Sequence, residues 1–331
     1  MKSKVNVGIV GATGMVGRTF LKVLAEKDFP IDQLYLFSSA KSAGSEVEYR
    51  GNTYIVEELT ENSFDRDMDI ALFSAGGGIS EKFAPIAASK GVVVVDNSSQ
   101  WRMDPEVPLV VPEVNPEDVK KHNGIIANPN CSTIQSVVPL RVLDDTFGIK
   151  RIIYNTYQAV SGSGVGGIKD LEDGMEGIAP KKYNHPIAFN ILPQIDVFEE
   201  NGYTKEEMKM IEETQKILGR PELKVTATTV RVPVRYGHCV SINLEFEKPF
   251  TVAAIQELMA QTEGIVLVDD PSKELYPMPI DAEGTNEVYM GRIRRDFSQD
   301  NGVNMWCVAD NIRKGAATNT VQIAELLLDI L

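Results

Sequence analysis

Near its start the chain passes from an apolar, strand-like stretch into a glycine-rich turn and then into a helical pattern. Val5–Val10 has the composition of a buried strand, the turn reads Gly11-Ala-Thr-Gly14-Met-Val-Gly17, and a helix is predicted over residues 16–27. Glycines at this spacing let the backbone turn tightly and approach a pyrophosphate, whose charge then meets the helix N-terminus. This order of elements predicts a dinucleotide-binding site, although a turn whose glycines serve only packing has the same pattern.

Strand-like and helical stretches go on alternating through the first third of the sequence. Apolar strands are predicted over residues 33–37, 69–73 and 92–95, and a helix over residues 79–90. Nearly continuous Val and Ile strands separated by helices are typical of a parallel sheet covered on both faces. We therefore predict an α/β chain with an N-terminal Rossmann-like dinucleotide-binding domain.

Beyond about Asn130 the strand-like stretches become longer and more polar. They are predicted over residues 152–157, 224–234 and 240–246. More polar strands of this kind indicate a mixed sheet with one open face, and thus a second domain of the α+β class.

Two helices follow from local signals in this second half. Thr204 and Glu207 have the spacing of a capping box, and Gly219 is a typical C-terminal stop for the helix that they begin. The chain is predicted to end in another helix over residues 316–331, with Val321, Ala324, Leu327 and Leu328 on one apolar face.

The charge of the chain bears on its partners. It has 33 basic and 47 acidic residues, a net charge of −14. That field repels nucleic acids and anionic membranes, so we expect neither as a partner, and an anionic substrate requires locally gathered Arg and Lys. No apolar run approaches the roughly 20 residues that span a bilayer. The N-terminal stretch also lacks a signal-peptide pattern, so we expect a cytoplasmic protein.

The three cysteines cannot all pair within one chain, and their spacing matches no metal-binding pattern. Cys131 has polar neighbours and follows a strand predicted over residues 125–127, which places it at a helix N-terminus. The N–H groups there favour a thiolate, and with the Asn130 amide they suit an oxyanion. A small buried hydrophobe is the alternative for any free cysteine, and it fits Cys239 and Cys307 better.

A nucleophilic thiol needs a proton partner, and the chain has only three histidines. His122 lies in a charged stretch and is expected at the surface, and His185 precedes a proline. His238 lies in a predicted strand close to Arg231 and Arg235. Composition alone does not decide which of the three would act.

The residues after the second strand bear on the cofactor. A fold that selects NAD usually carries Asp or Glu there, about 20 residues beyond the turn, to bind the ribose 2′-hydroxyl. This chain instead has Phe37-Ser-Ser-Ala-Lys41-Ser42, with hydroxyls and a cation but no acid. The stretch predicts NADP, with an ordinary solvated loop lysine as the alternative.

Motifs in a fixed order cover nearly the whole chain. They read GATGMVG (11–17), SAGG (74–77), VVVDNSSQWR (93–102), PLVVPEVN (108–115), PNCSTIQ (129–135), TYQAVSGSG (156–164), RVPVRYGH (231–238) and KGAATN (314–319). Together they closely resemble the aspartate-semialdehyde dehydrogenases of the bacterial type. GATGMVG alone is not specific, but the ordered set is.

This resemblance implies a reaction and an organisation. L-Aspartyl 4-phosphate is reduced by NADPH to L-aspartate 4-semialdehyde with release of phosphate, in the synthesis of lysine, diaminopimelate, threonine and methionine. Residues 1–130 with 315–331 would form the NADP-binding domain, to which the C-terminal helix returns. Residues 131–314 would form a catalytic and dimerisation domain, and the enzyme would be a homodimer without a metal.

The resemblance also implies roles for individual residues. Cys131 would be the nucleophile that becomes a thioester, Gln158 would orient the acyl group, and His238 would be the acid/base catalyst. The positive form of His238 is also expected to lower the pKa of Cys131. Arg231 is similar to the arginine that binds the substrate α-carboxylate, Glu213 to the residue that meets the amino group, and Arg102, Asn130 and Lys216 to residues that bind phosphate. The implied cofactor contacts are Gly11, Thr13, Gly14, Met15, Val16, Lys41, Ser42, Ser161, Gly162 and Asn319.

These roles lead to geometric expectations. Glu213 and Lys216 are three apart in a predicted helix and share a face, as they would also in a solvated salt bridge. Arg231 and His238 are seven apart, so a regular strand would point them to opposite faces. We therefore predict a bulge or bend near Gly237. Arg102 next to Trp101 also fits a stacked surface pair.

Two other interpretations stay open. An N-acetyl-glutamyl-phosphate reductase has a similar build and also uses Cys and His on an acyl phosphate, but it should lack the acid that meets a free amino group, so Glu213 discriminates. A non-catalytic NADPH-binding sensor would keep the glycine-rich turn and would need none of Cys131, Gln158, Arg231 and His238.

Overall fold

The computed structural model describes residues 4–330 and divides the chain into two compact units. One unit extends to Asn130 and includes the segment that begins at Ala316. The other covers Cys131–Gly315. Each unit has a six-stranded sheet of its own.

The first unit is a parallel sheet with helices. Its elements are β1 (Val5–Val10), α1 (Met15–Glu26), β2 (Ile31–Ser38), β3 (Glu46–Tyr49), β4 (Asn52–Ile55), β5 (Glu57–Glu58), β6 (Ile70–Phe73), α2 (Gly77–Ser89), β7 (Val93–Asp96), β8 (Ile125–Ala127) and a C-terminal helix (Thr318–Leu328). The strand order is β5-β2-β1-β6-β7-β8, with every neighbouring pair parallel, and β3 and β4 form a separate hairpin. This is the Rossmann-like fold that the alternating sequence predicts.

Burial explains why β1 lies within the sheet. All six of its residues are buried, and the strand pairs with β2 on one side and β6 on the other. The C-terminal helix packs against α1 and β7 and buries Val321, Ala324 and Leu327, so its predicted return to this part of the chain is confirmed. Leu331, the last residue of the predicted helix, lies outside the described residues.

The second unit is a mixed sheet with helices. Its elements are α3 (Cys131–Phe147), β9 (Ile149–Gln158), α4 (Val165–Met175), α5 (Lys205–Leu218), β10 (Lys224–Arg231), β11 (His238–Phe246), α6 (Val252–Gln261), β12 (Ile265–Leu267), α7 (Pro279–Ala282), β13 (Val288–Asp296) and β14 (Gly302–Ala309). The strand order is β10-β9-β11-β14-β13-β12. The outer pairs β10–β9 and β13–β12 are parallel, and the inner pairs are antiparallel.

Helices cover one face of this sheet. Helix α3 contacts α5, α6 and three of the strands. On β9 the buried residues alternate with partly or fully exposed ones, and Tyr157 on the other face is 40% exposed. The expected open face is therefore present.

Helix α5 begins and ends as its local sequence predicts. Thr204 Oγ1 accepts a hydrogen bond from the Glu207 N–H at 3.3 Å, and Glu207 Oε2 accepts one from the Thr204 N–H at 2.7 Å. At the other end Gly219 takes the left-handed conformation, with φ of 68°. Both signals are confirmed.

No helix within residues 4–330 combines the length and apolarity that crossing a bilayer requires.

Candidate active site

The glycine-rich turn joins β1 to α1 and is suited to an anion. Gly11 has φ of +88°, and a Cβ there would lie 2.3 Å from the Ser74 carbonyl oxygen, so no other residue fits without a shift. Helix α1 starts at Met15 behind Gly14, with no side-chain cap and no acid in its first turn. The N–H groups of this first turn, which includes Val16, are therefore available to a pyrophosphate.

The second strand ends beside this turn. Thr13 Oγ1 and Ser38 Oγ are 3.0 Å apart, which brings the loop after β1 to the end of β2. Lys41 is exposed and Ser42 is partly buried in the turn that follows, and no acid occurs between Ser38 and Ser45. These residues fit a nucleotide with a 2′-phosphate.

Arg102 lies in the same unit and is buried, with 7% of its surface exposed. Its Nε donates to the Asn128 carbonyl at 2.9 Å, and its Nη2 donates to the Asn97 carbonyl at 2.9 Å. The alternative of a surface pair with Trp101 is therefore wrong.

Asn130 and Asn319 are also buried in this unit. The Asn319 amide donates to the Val110 carbonyl at 3.0 Å and to Asn128 Oδ1 at 2.7 Å. These bonds tie the C-terminal helix to Asn128, directly after β8, and to Val110, in the segment between β7 and β8.

Cys131 is the first residue of α3, where a helix dipole favours a thiolate. The Cys131 side chain is partly exposed. A Cβ added to Gly315 would lie 2.8 Å from the Cβ of Cys131, so the Gly315 backbone approaches Cys131 closely. Cys239 and Cys307 are buried, and burial raises the pKa of each thiol to about 12. Their interpretation as buried hydrophobes is confirmed.

Helix α3 is anchored to the start of β11. Gln135, one turn beyond Cys131 on the same face of the helix, donates through Nε2 to the His238 carbonyl at 3.1 Å. This bond places the Gln135 side chain beside the backbone of His238. Of the other histidines, His185 is exposed and His122 is half-buried, not fully at the surface as expected.

The chain bends between Arg231 and His238. The strand predicted over residues 224–234 ends earlier, because β10 stops at Arg231, and β11 begins at His238. Between them Gly237 has φ of +84°. A Cβ on Gly162 would lie 2.8 Å from Arg231 Nη1 and 3.2 Å from His238 Nε2, so both side chains approach one point. The predicted bend near Gly237 is confirmed.

The His238 side chain is fully buried, and a backbone N–H group holds its ring in place. The Ala159 N–H donates to its Nδ1 at 3.0 Å, and Nε2 has no hydrogen-bond partner among residues 4–330. Burial, and to a lesser degree the Arg231 charge, lower the pKa of His238 well below 6.5. The ring is therefore neutral at neutral pH, and the expectation that its positive form lowers the pKa of Cys131 is wrong.

Arg231 and Gln158 end two neighbouring parallel strands. They are register partners in the β10–β9 pair, and both are buried. Arg231 Nη1 donates to the Ala159 carbonyl at 2.7 Å, while its buried Nε has no partner within the described part of the chain. The Gln158 amide accepts from Thr156 Oγ1 at 2.9 Å and donates to Glu206 Oε1 at 3.1 Å.

Glu213 lies on α5 and is fully buried, with Lys216 partly exposed one turn further on. A solvated salt bridge does not describe a glutamate with no exposed surface. Thr133 Oγ1 donates to Met210 Sδ at 3.6 Å, which joins the first turn of α3 to the turn of α5 that precedes Glu213.

The turn at Ser161 and Gly162 is held in place by a side chain from a distant part of the sequence. Ser161 is buried, and its hydroxyl pairs with the Asn311 side chain at 3.0 and 3.2 Å. Asn311 Oδ1 also accepts from the Gly237 N–H at 3.0 Å. Asn311 thus holds the turn at Ser161 to the bend before His238.

The sequence interpretation missed three residues that shape this site: Ala159, Glu206 and Asn311. Ala159 acts through backbone atoms, which any residue would supply. Glu206 lies in the first turn of a helix, where an acid is common for its effect on the helix dipole. Asn311 precedes the KGAATN motif and carried no local signal.

The assembled residues offer complementary chemistry within one unit. A partly exposed thiol begins α3, and two buried donors, Arg231 Nε and His238 Nε2, have no partner among the described residues. Buried donors of this kind suit a carboxylate and a developing oxyanion. Glu213 adds a buried acceptor for a cation.

Two family models match the chain. Residues 6–122 match the model described as semialdehyde dehydrogenase, NAD binding domain. Residues 140–314 match the model described as semialdehyde dehydrogenase, dimerisation domain. Together they cover most of the chain.

Curated relatives and solved structures agree with these matches. The aspartate-semialdehyde dehydrogenase of Aquifex aeolicus (strain VF5) is 57% identical over 332 residues, which is 97% of each chain. The crystal structure of aspartate semialdehyde dehydrogenase II complexed with ASA from Vibrio cholerae has a TM-score of 0.95 and 48% identity and covers 99% of both chains. The aspartate semialdehyde dehydrogenase with NADP from Candida albicans has a TM-score of 0.79 and 27% identity and covers 99% of this chain and 100% of that one.

Proposed function

The chain belongs to the aspartate-semialdehyde dehydrogenase family, and on that premise we propose that it reduces L-aspartyl 4-phosphate with NADPH, through a thioester on Cys131. The products are L-aspartate 4-semialdehyde and phosphate. The observation that carries the proposal is a pair of buried donor atoms without a partner among residues 4–330, Arg231 Nε and His238 Nε2, on two side chains that both lie beside Gly162. A substrate with a carboxylate and a reacting carbonyl supplies an acceptor for each.

Acylation begins at the sulfur. The Cys131 thiolate, favoured by the N-terminus of α3, attacks the acyl carbon of the phosphoanhydride. The new C–S bond forms as the C–O bond to phosphate breaks, and the electron pair leaves with the phosphate. Gln158 orients the acyl group in this step.

His238, the proposed acid/base catalyst, acts as the acid in this direction and donates to the oxyanion through Nε2. Its Nδ1 accepts the Ala159 N–H, so the neutral ring carries its proton on Nε2 and donates toward the acyl oxygen. Bound NADPH supplies the hydride that reduces the thioester carbonyl. When the resulting oxyanion collapses, the C–S bond breaks and the pair returns to the Cys131 sulfur, releasing the aldehyde.

The charges of the substrate have counterparts in the chain. Arg231 binds the α-carboxylate with its buried guanidinium, and Glu213 binds the ammonium group. Arg102, Asn130 and Lys216 bind the phosphate. The positive charges of Arg231, Arg102 and Lys216 offset the repulsion that a net charge of −14 imposes on an anionic substrate.

The first unit is proposed to hold NADP. The pyrophosphate would meet the turn formed by Gly11, Thr13, Gly14, Met15 and Val16, at the uncapped start of α1. Lys41 and Ser42 would bind the 2′-phosphate. Ser161, Gly162 and Asn319 complete the proposed cofactor contacts.

The two structural units receive different roles in this proposal. Residues 1–130 with 315–331 would form the NADP-binding domain, and residues 131–314 the catalytic and dimerisation domain. The matched dimerisation domain supports a homodimer. A catalytic thiol must stay reduced, and this requirement supports a cytoplasmic location. There the product would be used in the synthesis of lysine, diaminopimelate, threonine and methionine.

The reverse reaction provides the test. Purified protein should form NADPH from NADP and L-aspartate 4-semialdehyde only when phosphate is present. Cys131→Ala should abolish this activity, and Cys239→Ala, which removes a buried thiol, is the matched control. Turnover in the Cys131→Ala variant would refute the thioester route, and equal turnover without phosphate would refute phosphate as the acceptor of the acyl group.

A second assay separates the enzyme from an N-acetyl-glutamyl-phosphate reductase. The buried Glu213 favours a substrate with a free ammonium group. The protein should therefore act on L-aspartate 4-semialdehyde and not on N-acetyl-L-glutamate 5-semialdehyde. Glu213→Gln should raise KM for the first substrate, and the opposite preference would assign the chain to the reductase.

A further inference from the structure

The Gln158 side chain is nearly fully buried, with 1% of its surface exposed, and its amide has a partner on each side. Thr156, two residues earlier in β9, donates through Oγ1 to Gln158 Oε1 at 2.9 Å. Glu206, in the first turn of α5, accepts from Gln158 Nε2 at 3.1 Å.

Thr156 and Glu206 differ in which orientations of the Gln158 amide they permit. The oxygen and nitrogen ends of an amide have nearly the same shape, so packing alone does not choose between its two orientations. The Thr156 hydroxyl both donates and accepts, so it satisfies either orientation. A carboxylate only accepts, so Glu206 is satisfied only when the amide nitrogen faces it.

Glu206 is itself held in place. It is 6% exposed, and Lys209 Nζ lies 3.2 Å from its Oε2. Lys209 also contacts Asp196 Oδ2 at 2.8 Å, which fixes the position of the ammonium group. The start of α5 adds a favourable dipole for the buried negative charge.

We propose that Glu206 is a positioning residue that sets the orientation of the Gln158 amide and leaves its second N–H for the acyl oxygen of the substrate. Gln158 lies at the end of β9 beside Arg231, its register partner, so the amide is at the edge of the sheet where the other site residues meet. The inference rests on the proposed thioester chemistry, because that chemistry gives Gln158 an acyl group to orient.

Kinetics of the full-length enzyme test this role. Glu206→Ala should lower kcat about 30-fold while KM for phosphate and for NADP stays within about twofold, because only the acyl group is misplaced. Glu206→Gln should recover only part of the lost kcat, because its amide can donate as well as accept and so no longer selects one orientation of Gln158. Lys205→Met is the control: it removes an exposed positive charge next to Glu206, keeps the contacts of Glu206 with Gln158 and Lys209, and should leave kcat within about threefold.

A double-mutant comparison separates positioning from a structural effect. If Glu206 acts only through Gln158, then Glu206→Ala should cause no further loss of kcat in a Gln158→Ala background. An equal loss in both backgrounds, or wild-type kinetics for Glu206→Ala, would overturn the proposal.

A second readout does not depend on activity. In the folded wild-type protein the Gln158 side-chain N–H that faces Glu206 should be shifted downfield and protected from exchange in NMR spectra, and both signatures should vanish in Glu206→Ala. Their absence in the wild type overturns the proposal. A wild type that shows them but lacks phosphate-dependent turnover would contradict the proposed function and not the orientation of the amide.

Discussion

The backbone N–H of Ala159 donates a 3.0 Å hydrogen bond to Nδ1 of His238. The carbonyl oxygen of the same residue accepts from Arg231 Nη1 at 2.7 Å. One alanine backbone therefore holds both a candidate catalytic histidine and a candidate substrate arginine. Protonation of Nδ1 would break the first of these bonds, so the geometry and the burial of His238 both favour a neutral ring with its proton on Nε2.

This neutral state predicts how stability depends on pH. The pKa of His238 lies well below 6.5 in the folded protein, because of burial and the charge of Arg231. As pH falls, the unfolded chain takes up the proton before the folded protein does. The contribution of neutral His238 to the free energy of unfolding is therefore complete above pH 6.5, and below that pH it decreases by about 1.4 kcal/mol for each pH unit. Urea unfolding of the wild type and of His238→Gln at several pH values should show that acidification lowers the free energy of unfolding less in the variant. Equal decreases in the two proteins would mean that His238 titrates normally.

Replacement of Arg231 and of His238, the two side chains beside Gly162, should change different kinetic constants. His238→Asn should lower kcat by about 100-fold or more with little change in KM, because the Nε2 donor acts on charge that develops in the transition state. Arg231→Leu should act mainly by raising KM for L-aspartate 4-semialdehyde, because it removes a charge partner in the bound state. Steady-state kinetics with the semialdehyde varied would measure both. A rise in KM alone for both variants would contradict these separate roles.

Gly162 itself is a sensitive position. A Cβ there would lie 2.8 Å from Arg231 Nη1 and 3.2 Å from His238 Nε2. Gly162→Ala should therefore push these groups apart and lower kcat/KM at least about tenfold. Gly166→Ala is the matched control, because its Cβ would meet only Lys182 side-chain atoms, at ordinary distances of 3.6 to 3.7 Å. Equal activity of the two variants would show that the close approach at Gly162 has no part in the site.

Local signals in the sequence predicted the elements that depend on neighbouring residues. Strand β1 covers Val5–Val10 as predicted, and α5 begins with the Thr204–Glu207 capping box. In both cases the deciding contacts lie within a few positions along the chain. The bend near Gly237 was also predictable, because two residues seven positions apart, Arg231 and His238, cannot lie on one face of a regular strand.

Some features that depend on distant partners were not predicted. Strand β13 was missed because its side chains do not alternate regularly: Arg292 takes φ of +52°, and the pairing with β14 shifts between Gly291 and Arg294. The bond from Ala159 to His238 joins residues 79 apart and uses a backbone donor. No side-chain pattern marks such a contact, so the neutral state of His238 could not be predicted from the sequence.

The three thiols should react very differently. Cys131 is partly exposed at a helix start, whereas burial raises the pKa of Cys239 and Cys307 to about 12. Iodoacetamide at neutral pH should modify Cys131 alone and abolish activity, because the thiolate is the reactive form. Peptide mass spectrometry after partial labelling would show the site, with urea-unfolded protein as the control in which all three react. Labelling of Cys239 or Cys307 before Cys131 in the folded protein would contradict the proposed nucleophile.

The residues after β2 should decide between the two nicotinamide cofactors. Lys41 is exposed, and the segment from Ser38 to Ser45 contains no acid that would bind a ribose 2′-hydroxyl or repel a 2′-phosphate. Lys41→Ala should raise KM for NADP by about tenfold, the loss expected for one charge-assisted contact, and should leave KM for NAD within about twofold. Lys41→Arg is the control and should keep or strengthen the preference for NADP, because a guanidinium binds phosphate in a bidentate manner. If Lys41→Ala changed KM for both cofactors equally, Lys41 would not contact the 2′-phosphate, and the preference would have to come from the hydroxyls of Ser38, Ser39 and Ser42.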